Sequence, residues 1–323
     1  MSDSSDSHSE TLGSVLLSAG RGTRIRPLSD VRPKAALPLL DVPQGLPALL
    51  TLVARAPRLV VNLGHLDEAA ADLLKVHSTK GVEALVETPE PYGTGGTLKA
   101  LGPRLAPTVV TWNADLLTDL DPRHLVAAHR RSDAAATLAV TEVSHGADFE
   151  RDGDRLTRLL DRRDGAAGPG ARFIGMAVFE RAALERLPDA RPLGLTEGLL
   201  RPLAGEGSLA CHVHDGYARD VGNIADYLAA SIDLLNESVR VENFITPGRV
   251  LEIDGGRAYV GPRARVDSAS LGRDAIVLEG AHVNRGAFVE RAIVWPDESV
   301  PAGADVRNGV WFGGRLLPAG IAT

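Results

Sequence analysis

From residue 260 onward, one spacing governs the sequence. Apolar side chains recur at Val260, Val266, Leu271, Val277, Val283, Val289, Val294, Val300 and Val306, with gaps of 6, 5, 6, 6, 6, 5, 6 and 6 residues. Four residues after most of them stands a small side chain: Ala264, Ser270, Ala275, Ala281, Ala287 and Ala304. A six-residue period fits neither the ~3.6-residue turn of a helix nor the two-residue alternation of a half-buried strand. It fits a parallel β-helix of hexapeptides, in which each repeat forms one flat face of a coil and stacked apolar side chains fill the axis. With three faces to a coil, the array makes about three coils. A bare end of such a stack exposes strand edges, so the preceding domain or another chain is expected to cap it.

Upstream of Pro247 the texture is different. Short β-like runs at Ser14–Ser18, Arg58–Leu63, Val82–Glu87, Thr108–Trp112, Ala135–Val143 and Phe173–Phe179 are interleaved with helical patterns. Those patterns fall at Leu46–Arg55, Asp67–Val76, Thr94–Leu101, Pro122–Arg131 and Ile224–Val239. The alternation predicts parallel strands joined by right-handed helical crossovers, an α/β doubly wound sheet that binds ligands at the carboxyl ends of its strands. The charged, Gly/Pro-containing stretch Arg151–Arg172 reads as a mobile excursion. The expected division is a disordered Ser/Asp-rich tail at 1–11, a sheet domain at 12–240 and the repeat domain at 241–323.

Composition narrows the function. The net charge of −7 argues against a general nucleic-acid binder. Inside that acidic average, Arg21 to Lys34 holds five basic residues and one acidic, which suits an anionic small ligand as well as a solvated loop. The single cysteine, Cys211, excludes an intrachain disulfide framework and a multi-cysteine metal site. No apolar run approaches the ~18–20 residues of a membrane helix. The tail has no basic start or apolar core, so no secretory signal is expected, and the chain fits the cytoplasm.

The sharpest chemistry lies in Leu17-Ser-Ala-Gly-Arg-Gly-Thr-Arg-Ile-Arg-Pro-Leu28 and Arg32-Pro-Lys-Ala-Ala-Leu-Pro38. A buried strand runs into a loop whose Gly20 and Gly22 let backbone amides approach a phosphate. Arg24 and Arg26 add planar forks for phosphate oxygens, and Lys34 adds a movable point charge. The pattern is neither a Walker loop nor the dinucleotide fingerprint.

These residues resemble the N-terminal signature of the sugar-1-phosphate nucleotidyltransferases (nucleoside-diphosphate-sugar pyrophosphorylases), G-x-G-T-R-L-x-P-L-T…P-K-P-x-L-P. The resemblance extends over about residues 12–320 and is greatest to mannose-1-phosphate guanylyltransferase-type members with a C-terminal hexapeptide tail. It implies a Rossmann-like nucleotidyltransferase domain followed by a short left-handed β-helix. It also implies that Leu17, Ser18, Ala19 and Gly20 face the nucleobase and ribose, with Gly22 and Thr23 continuing that loop. Arg24 would hold the departing β,γ-phosphates, and Lys34 would sit near the α-phosphate and the incoming sugar phosphate.

Three more stretches follow in the family's order. Glu87-Thr-Pro-Glu-Pro-Tyr-Gly-Thr-Gly-Gly-Thr-Leu98 resembles its base-reading G-T-A-G segment. Glu87, Gly93, Thr94 and Gly95 are therefore nucleotide candidates, with Gly96 also freeing backbone to reach a flat ring and Thr94 expected to cap the next helix. Trp112-Asn-Ala-Asp115 resembles N-G-D, which makes Asn113 a nucleotide candidate and Asp115 a Mg²⁺ ligand. Arg219-Asp220-Val-Gly-Asn223 resembles D-V-G-T-P, which makes Asp220 the second Mg²⁺ ligand; hard carboxylate oxygens suit that ion. On the sugar side, Gly175 matches the aromatic-x-G strand, Arg162 stands near the family's usual Lys, and Glu197 and Asn223 are further candidates.

The implied reaction is attack of a sugar 1-phosphate on the α-phosphorus of a nucleoside triphosphate, releasing pyrophosphate. GTP and a mannose-1-phosphate-like sugar are favoured. Asn62-Leu-Gly-His65 and Thr94–Thr97 are also similar to bacterial uridylyltransferases acting on amino sugars, and uridylyl or thymidylyl transfer to another sugar or a cyclitol phosphate stays open. So do acyl transfer in the repeat domain, where His282 is the one histidine after His214, and a catalytically silent regulatory paralogue. The partners expected are the two substrates and further copies of the chain joined through the β-helix, with no nucleic acid or membrane.

Overall fold

The computed structural model describes residues 12–56, 58–64, 82–160, 168–267 and 270–320. The expected helix at 67–76 and the candidate Arg162 lie outside the described residues. The chain forms two compact units: Met1–Arg21 with Ala48–Ala218, and Gly22–Pro47 with Arg219–Thr323. They are called the sheet unit and the coil unit below.

In the sheet unit the strands are β1 (Leu12–Leu17), β2 (Leu59–Leu63), β3 (Val82–Val86), β4 (Thr108–Asn113), β5 (Ala136–Val143), β6 (Phe149–Asp152), β7 (Arg155–Leu159), β8 (Gly170–Glu180) and β9 (Leu209–Val213). They lie in the order β3-β2-β1-β4-β8-β5-β9-β7-β6. Strands β3, β2, β1 and β4 are parallel, with Leu17 opposite Asn62 on one side and Asn113 on the other. Strand β8 runs antiparallel to both β4 and β5, so the sheet is mixed rather than all-parallel. Part of the stretch read as an excursion forms the antiparallel pair β6–β7, and β8 pairs antiparallel with β6 as well, Ala171 opposite Phe149. Helices α1 (Leu46–Arg55), α2 (Gly93–Leu101) and α3 (Pro122–Ser132) follow the predicted spans closely. Asp121 caps α3 by accepting the Arg123 N–H at 2.9 Å. Val15, Val109, Leu138, Ala177 and Phe179, at most 1% exposed, center the core.

The coil unit carries α4 (Ile224–Leu235), β10 (Arg249–Ile253), β11 (Gly256–Val260), β12 (Ala275–Val277), β13 (His282–Val283), β14 (Phe288–Val294), β15 (Ser299–Val300), β16 (Asp305–Phe312) and β17 (Arg315–Pro318). Strands β11, β12, β14 and β16 are parallel neighbours: Ala258 pairs with Ala275, Ala275 with Ala292 and Ala292 with Gly309, a step of 17 residues each time. The pair β13–β15 keeps the same step, His282 opposite Ser299. Three of the five- or six-residue gaps thus make one turn of the chain. Eight of the nine repeat positions are buried in a single cluster, and Val266 packs against it.

Tyr259, Ile276, Ile293 and Val310 alternate with that interior set and are also fully buried. Helix α4 packs across β11, β14 and β16 and covers them. Antiparallel β10 and β17 close the two ends of this sheet, so the chain supplies its own terminal strands. The 22–47 segment belongs here too: Asp41 accepts the Tyr259 O–H at 3.0 Å and the Glu279 N–H at 2.9 Å. Helix α4 and the 22–47 segment thus pack in one unit with the coils.

Candidate active site

In the sheet unit, the predicted nucleotide residues gather at the carboxyl ends of β1, β3 and β4. Leu17 is fixed by its carbonyl, which accepts the Ala114 N–H at 2.9 Å. Ser18 donates its N–H to Asn62 Oδ1 at 2.6 Å and its hydroxyl to the Asn62 carbonyl. Ala19 is buried and Gly20 exposed. Asp115 is half-buried in the turn after β4. Asn113 ends β4 beside Gly175, where β8 shifts register against β5. Gly175 has a φ of 109°, and a Cβ there would meet Asn113 Nδ2 at 3.1 Å, so the position needs glycine.

Glu87 is buried, 4% exposed. One carboxylate oxygen accepts from Asn62 Nδ2 at 2.8 Å and from the Thr97 hydroxyl; the other accepts the Tyr92 N–H at 2.7 Å. Three of its roughly four acceptor positions are thus filled by the protein. Asn62 and Thr97 thus join the candidate residues as partners of Glu87; a polar residue in an apolar strand is the signal that points to Asn62.

The Gly-rich turn is packed differently from the expectation. Helix α2 starts at Gly93 after Tyr92, without a side-chain cap, so Thr94 lies inside its first turn rather than capping it. The Gly95 and Gly96 amides donate to the Leu193 carbonyl at 2.9 and 3.2 Å. A Cβ on Gly93 would meet that same carbonyl oxygen at 2.6 Å. Close approach of the Leu193 backbone therefore explains these glycines within the protein itself. Glu197 is exposed and binds Arg201 one turn on, at 2.7 and 2.9 Å.

In the coil unit, Gly22 takes a left-handed φ of 60° and opens the turn Thr23–Ile25. Ser29 Oγ donates to its carbonyl at 2.8 Å. Arg24 and Lys34 converge on one carboxylate: Arg24 reaches Asp220 Oδ2, and Lys34 reaches Asp220 Oδ1, both at 3.3 Å. Their settings differ, since the Lys34 side chain is 9% exposed and that of Arg24 67%. A Cβ on Gly222 would meet an Arg24 guanidinium nitrogen at 2.8 Å, so the glycine makes room for the arginine. Asn223 is the cap of α4: its Oδ1 accepts the Asp226 N–H at 2.9 Å and its Nδ2 donates to Asp226 at 2.7 Å. Within each unit, then, the structure gathers the candidates: Leu17–Gly20, Glu87, Gly93–Gly95, Asn113, Asp115 and Gly175 in one, and Gly22, Arg24, Lys34 and Asp220 in the other.

Among the described residues no helix is long and apolar enough to cross a membrane. No group of three or more His, Cys, Asp or Glu side chains there forms a metal cluster. Asp220 nonetheless offers hard oxygens suited to a cation that takes only one or two carboxylates. Its two contacts are longer than the ~2.7–2.9 Å of a tight charge-assisted bond, so they can be exchanged.

The family model described as nucleotidyl transferase matches residues 13–237, more than half of the chain. The mannose-1-phosphate guanylyltransferase of Mycobacterium tuberculosis is 28% identical over 306 residues, covering 86% of this chain and 82% of its own. The UTP–glucose-1-phosphate uridylyltransferase of Synechocystis sp. is 22% identical over 338 residues, covering 93% and 87%. In fold the chain is similar to HddC from Yersinia pseudotuberculosis, with a TM-score of 0.58 and 21% identity over 69% of this chain and 99% of that one.

Proposed function

The chain belongs to the nucleotidyl transferase family and is a sugar-1-phosphate nucleotidyltransferase, and from that premise we propose that it joins a mannose-1-phosphate-like sugar phosphate to GTP. The similarity to the mycobacterial guanylyltransferase over 86% of the chain carries this choice of substrates. Uridylyl transfer to glucose 1-phosphate is the second reading, favoured by the similarity to the Synechocystis uridylyltransferase. A silent paralogue is disfavoured by the retention of Arg24, Lys34, Asp115 and Asp220.

Both reactants are anions, so positioning and charge neutralisation supply most of the rate. A sugar-phosphate oxygen is already ionised at neutral pH and needs no general base. It attacks the α-phosphorus in line; the bond to the β-phosphate oxygen breaks and pyrophosphate leaves. Arg24 neutralises the leaving group, and Lys34 screens the attacking and α-phosphates. Leu17–Gly20 and Gly93–Gly95 seat the base and ribose. Gly175 presents backbone to the sugar, and Arg162 and Glu197 hold its phosphate and a hydroxyl. Asp115 and Asp220 would hold Mg²⁺, which when bound adds positive charge at the phosphates.

We further assign residues 12–240 to the catalytic domain and 241–323 to a left-handed hexapeptide β-helix through which copies of the chain assemble, and place the reaction in the cytoplasm. Pyrophosphate release across GTP, UTP, dTTP, ATP and CTP against mannose, glucose and amino-sugar 1-phosphates tests the substrates. Highest kcat/KM for GTP with mannose 1-phosphate supports the reading, and highest kcat/KM for UTP replaces it with the second.

A further inference from the structure

Asn62 is a buried amide, 4% exposed, that touches three segments of the sheet unit at once. Its Oδ1 takes the Ser18 N–H at 2.6 Å, and its Nδ2 donates to Glu87 Oε1 at 2.8 Å and to Thr97 Oγ at 3.3 Å. Only one orientation of the amide satisfies all three, because Ser18 offers a donor and Glu87 an acceptor. Thr97 uses its proton on Glu87 and its oxygen on Asn62. Glu87 passes the connection to Tyr92 through the backbone N–H at 2.7 Å. The Arg191 guanidinium lies over the Tyr92 ring at 4.0 Å from its centroid. The loop after β1 and the residue that precedes α2 are therefore joined through a desolvated polar chain, where hydrogen bonds are strong and a missing partner is costly.

We propose that Asn62 and Thr97 are positioning residues which, through the buried Glu87 carboxylate, set the separation of the Ser18–Gly20 loop from the Tyr92–Gly95 turn and thereby the seat of the nucleoside. This rests on the reading of those two segments as the base and ribose site. It gives Glu87 a supporting role rather than a direct contact. The network touches none of Arg24, Lys34, Asp115 and Asp220, so its loss is expected to act first on the nucleoside part of the substrate.

The test exploits the donor and acceptor pattern. Asn62→Asp sets two carboxylates against each other without a change of size, and Glu87→Gln sets two amide donors against each other. The double variant Asn62→Asp with Glu87→Gln restores one carboxylate, one amide and every partner. In it the carboxylate introduced at position 62 accepts from Ser18, Thr97 and the new amide, and the amide oxygen introduced at position 87 accepts from Tyr92. Thr97→Val removes one link more gently. Calorimetric titration with GTP and, separately, with pyrophosphate reads the outcome, alongside KM for each substrate. We expect Asn62→Asp and Thr97→Val to weaken GTP by at least ~10-fold, the scale of losing a buried charge-assisted bond, with pyrophosphate affinity and sugar-phosphate KM within twofold. The double variant recovers GTP affinity. Equal losses for GTP and pyrophosphate, or unchanged GTP affinity in Thr97→Val, overturn the inference while wild-type turnover stands. A wild-type protein that turns over none of the five triphosphates contradicts the underlying functional reading instead.

Discussion

Two groups of candidate site residues are held in opposite ways. In the sheet unit, Asn62, Glu87 and Thr97 are at most 4% exposed and joined donor to acceptor. In the coil unit, Arg24 and Asp220 have side chains 67% and 55% exposed, and Asp220 meets its cations at 3.3 Å. The first arrangement is rigid, because each buried group left unpartnered costs ~1–3 kcal/mol. The Arg24–Asp220 pair is exchangeable, because exposed ion pairs contribute only ~0–1 kcal/mol. A seat for the uncharged nucleoside can be built in advance. On the proposed function, a seat for a highly charged phosphate chain gains by holding a substitute anion, and Asp220, within 3.3 Å of Arg24 and Lys34, is the candidate for it.

The largest expected effect tests whether the charged residues act in the transition state. Arg24→Ala or Asp115→Asn should lower kcat by at least ~100-fold, the scale of one preorganised electrostatic group. Near-normal turnover, with circular dichroism unchanged and Mg²⁺ supplied, contradicts their roles. Next comes the contrast between coil and loop. Val289, fully buried in the coil interior, should cost about 2 kcal/mol of unfolding free energy when changed to Ala, from lost transfer energy and a residual cavity. Chemical denaturation reads it, and a loss under about 0.5 kcal/mol would mean that the interior closes over the gap.

A smaller effect has an unusual sign. Asp220→Asn should abolish turnover yet tighten pyrophosphate binding in EDTA by about tenfold, because Arg24 and Lys34 lose their substitute anion. Weaker metal-free binding would show that Asp220 orients the cations rather than competing for them. The smallest effect concerns His212, half-buried on β9. Its pKa is lowered from 6.5 by burial first and then by His214, His124 and Arg131. The folded protein takes up this proton at a lower pH than the unfolded chain, which does so near pH 6.5. Its contribution is therefore complete above that pH and is lost as pH falls toward the folded value. In His212→Gln the fall in Tm between pH 7 and pH 5.5 should be shallower than in the parent, and an equal slope would exclude His212 as a source.

Much of the fold is legible in the sequence because two periodicities write it. The hexad positions from Val260 to Val306 line one interior, and the strand spans from Leu12 to Phe179 lie close to those expected. What escapes is set by tertiary partners. Strand β8 is antiparallel because β6 and β7 precede it, a choice between two connections that local composition does not encode. Helix α4 reads as part of the sheet domain until its buried face is seen against the coils. At the site, the glycines and Asp220 are legible as a motif. The uses of Glu87, Thr94 and Asn223 are not, since each depends on a distant or helix-end partner that a one-dimensional pattern leaves open.

The central claim, transfer of a nucleotidyl group to a sugar phosphate, is tested most directly by following oxygen. Mannose 1-phosphate carrying ¹⁸O in its phosphate is incubated with GTP, Mg²⁺ and the protein, and the products are weighed by mass spectrometry. The expected products are GDP-mannose with all of the label in the phosphate attached to the sugar, and unlabelled pyrophosphate. Label in pyrophosphate, or turnover that leaves mannose 1-phosphate intact and yields GMP or GDP alone, would contradict it.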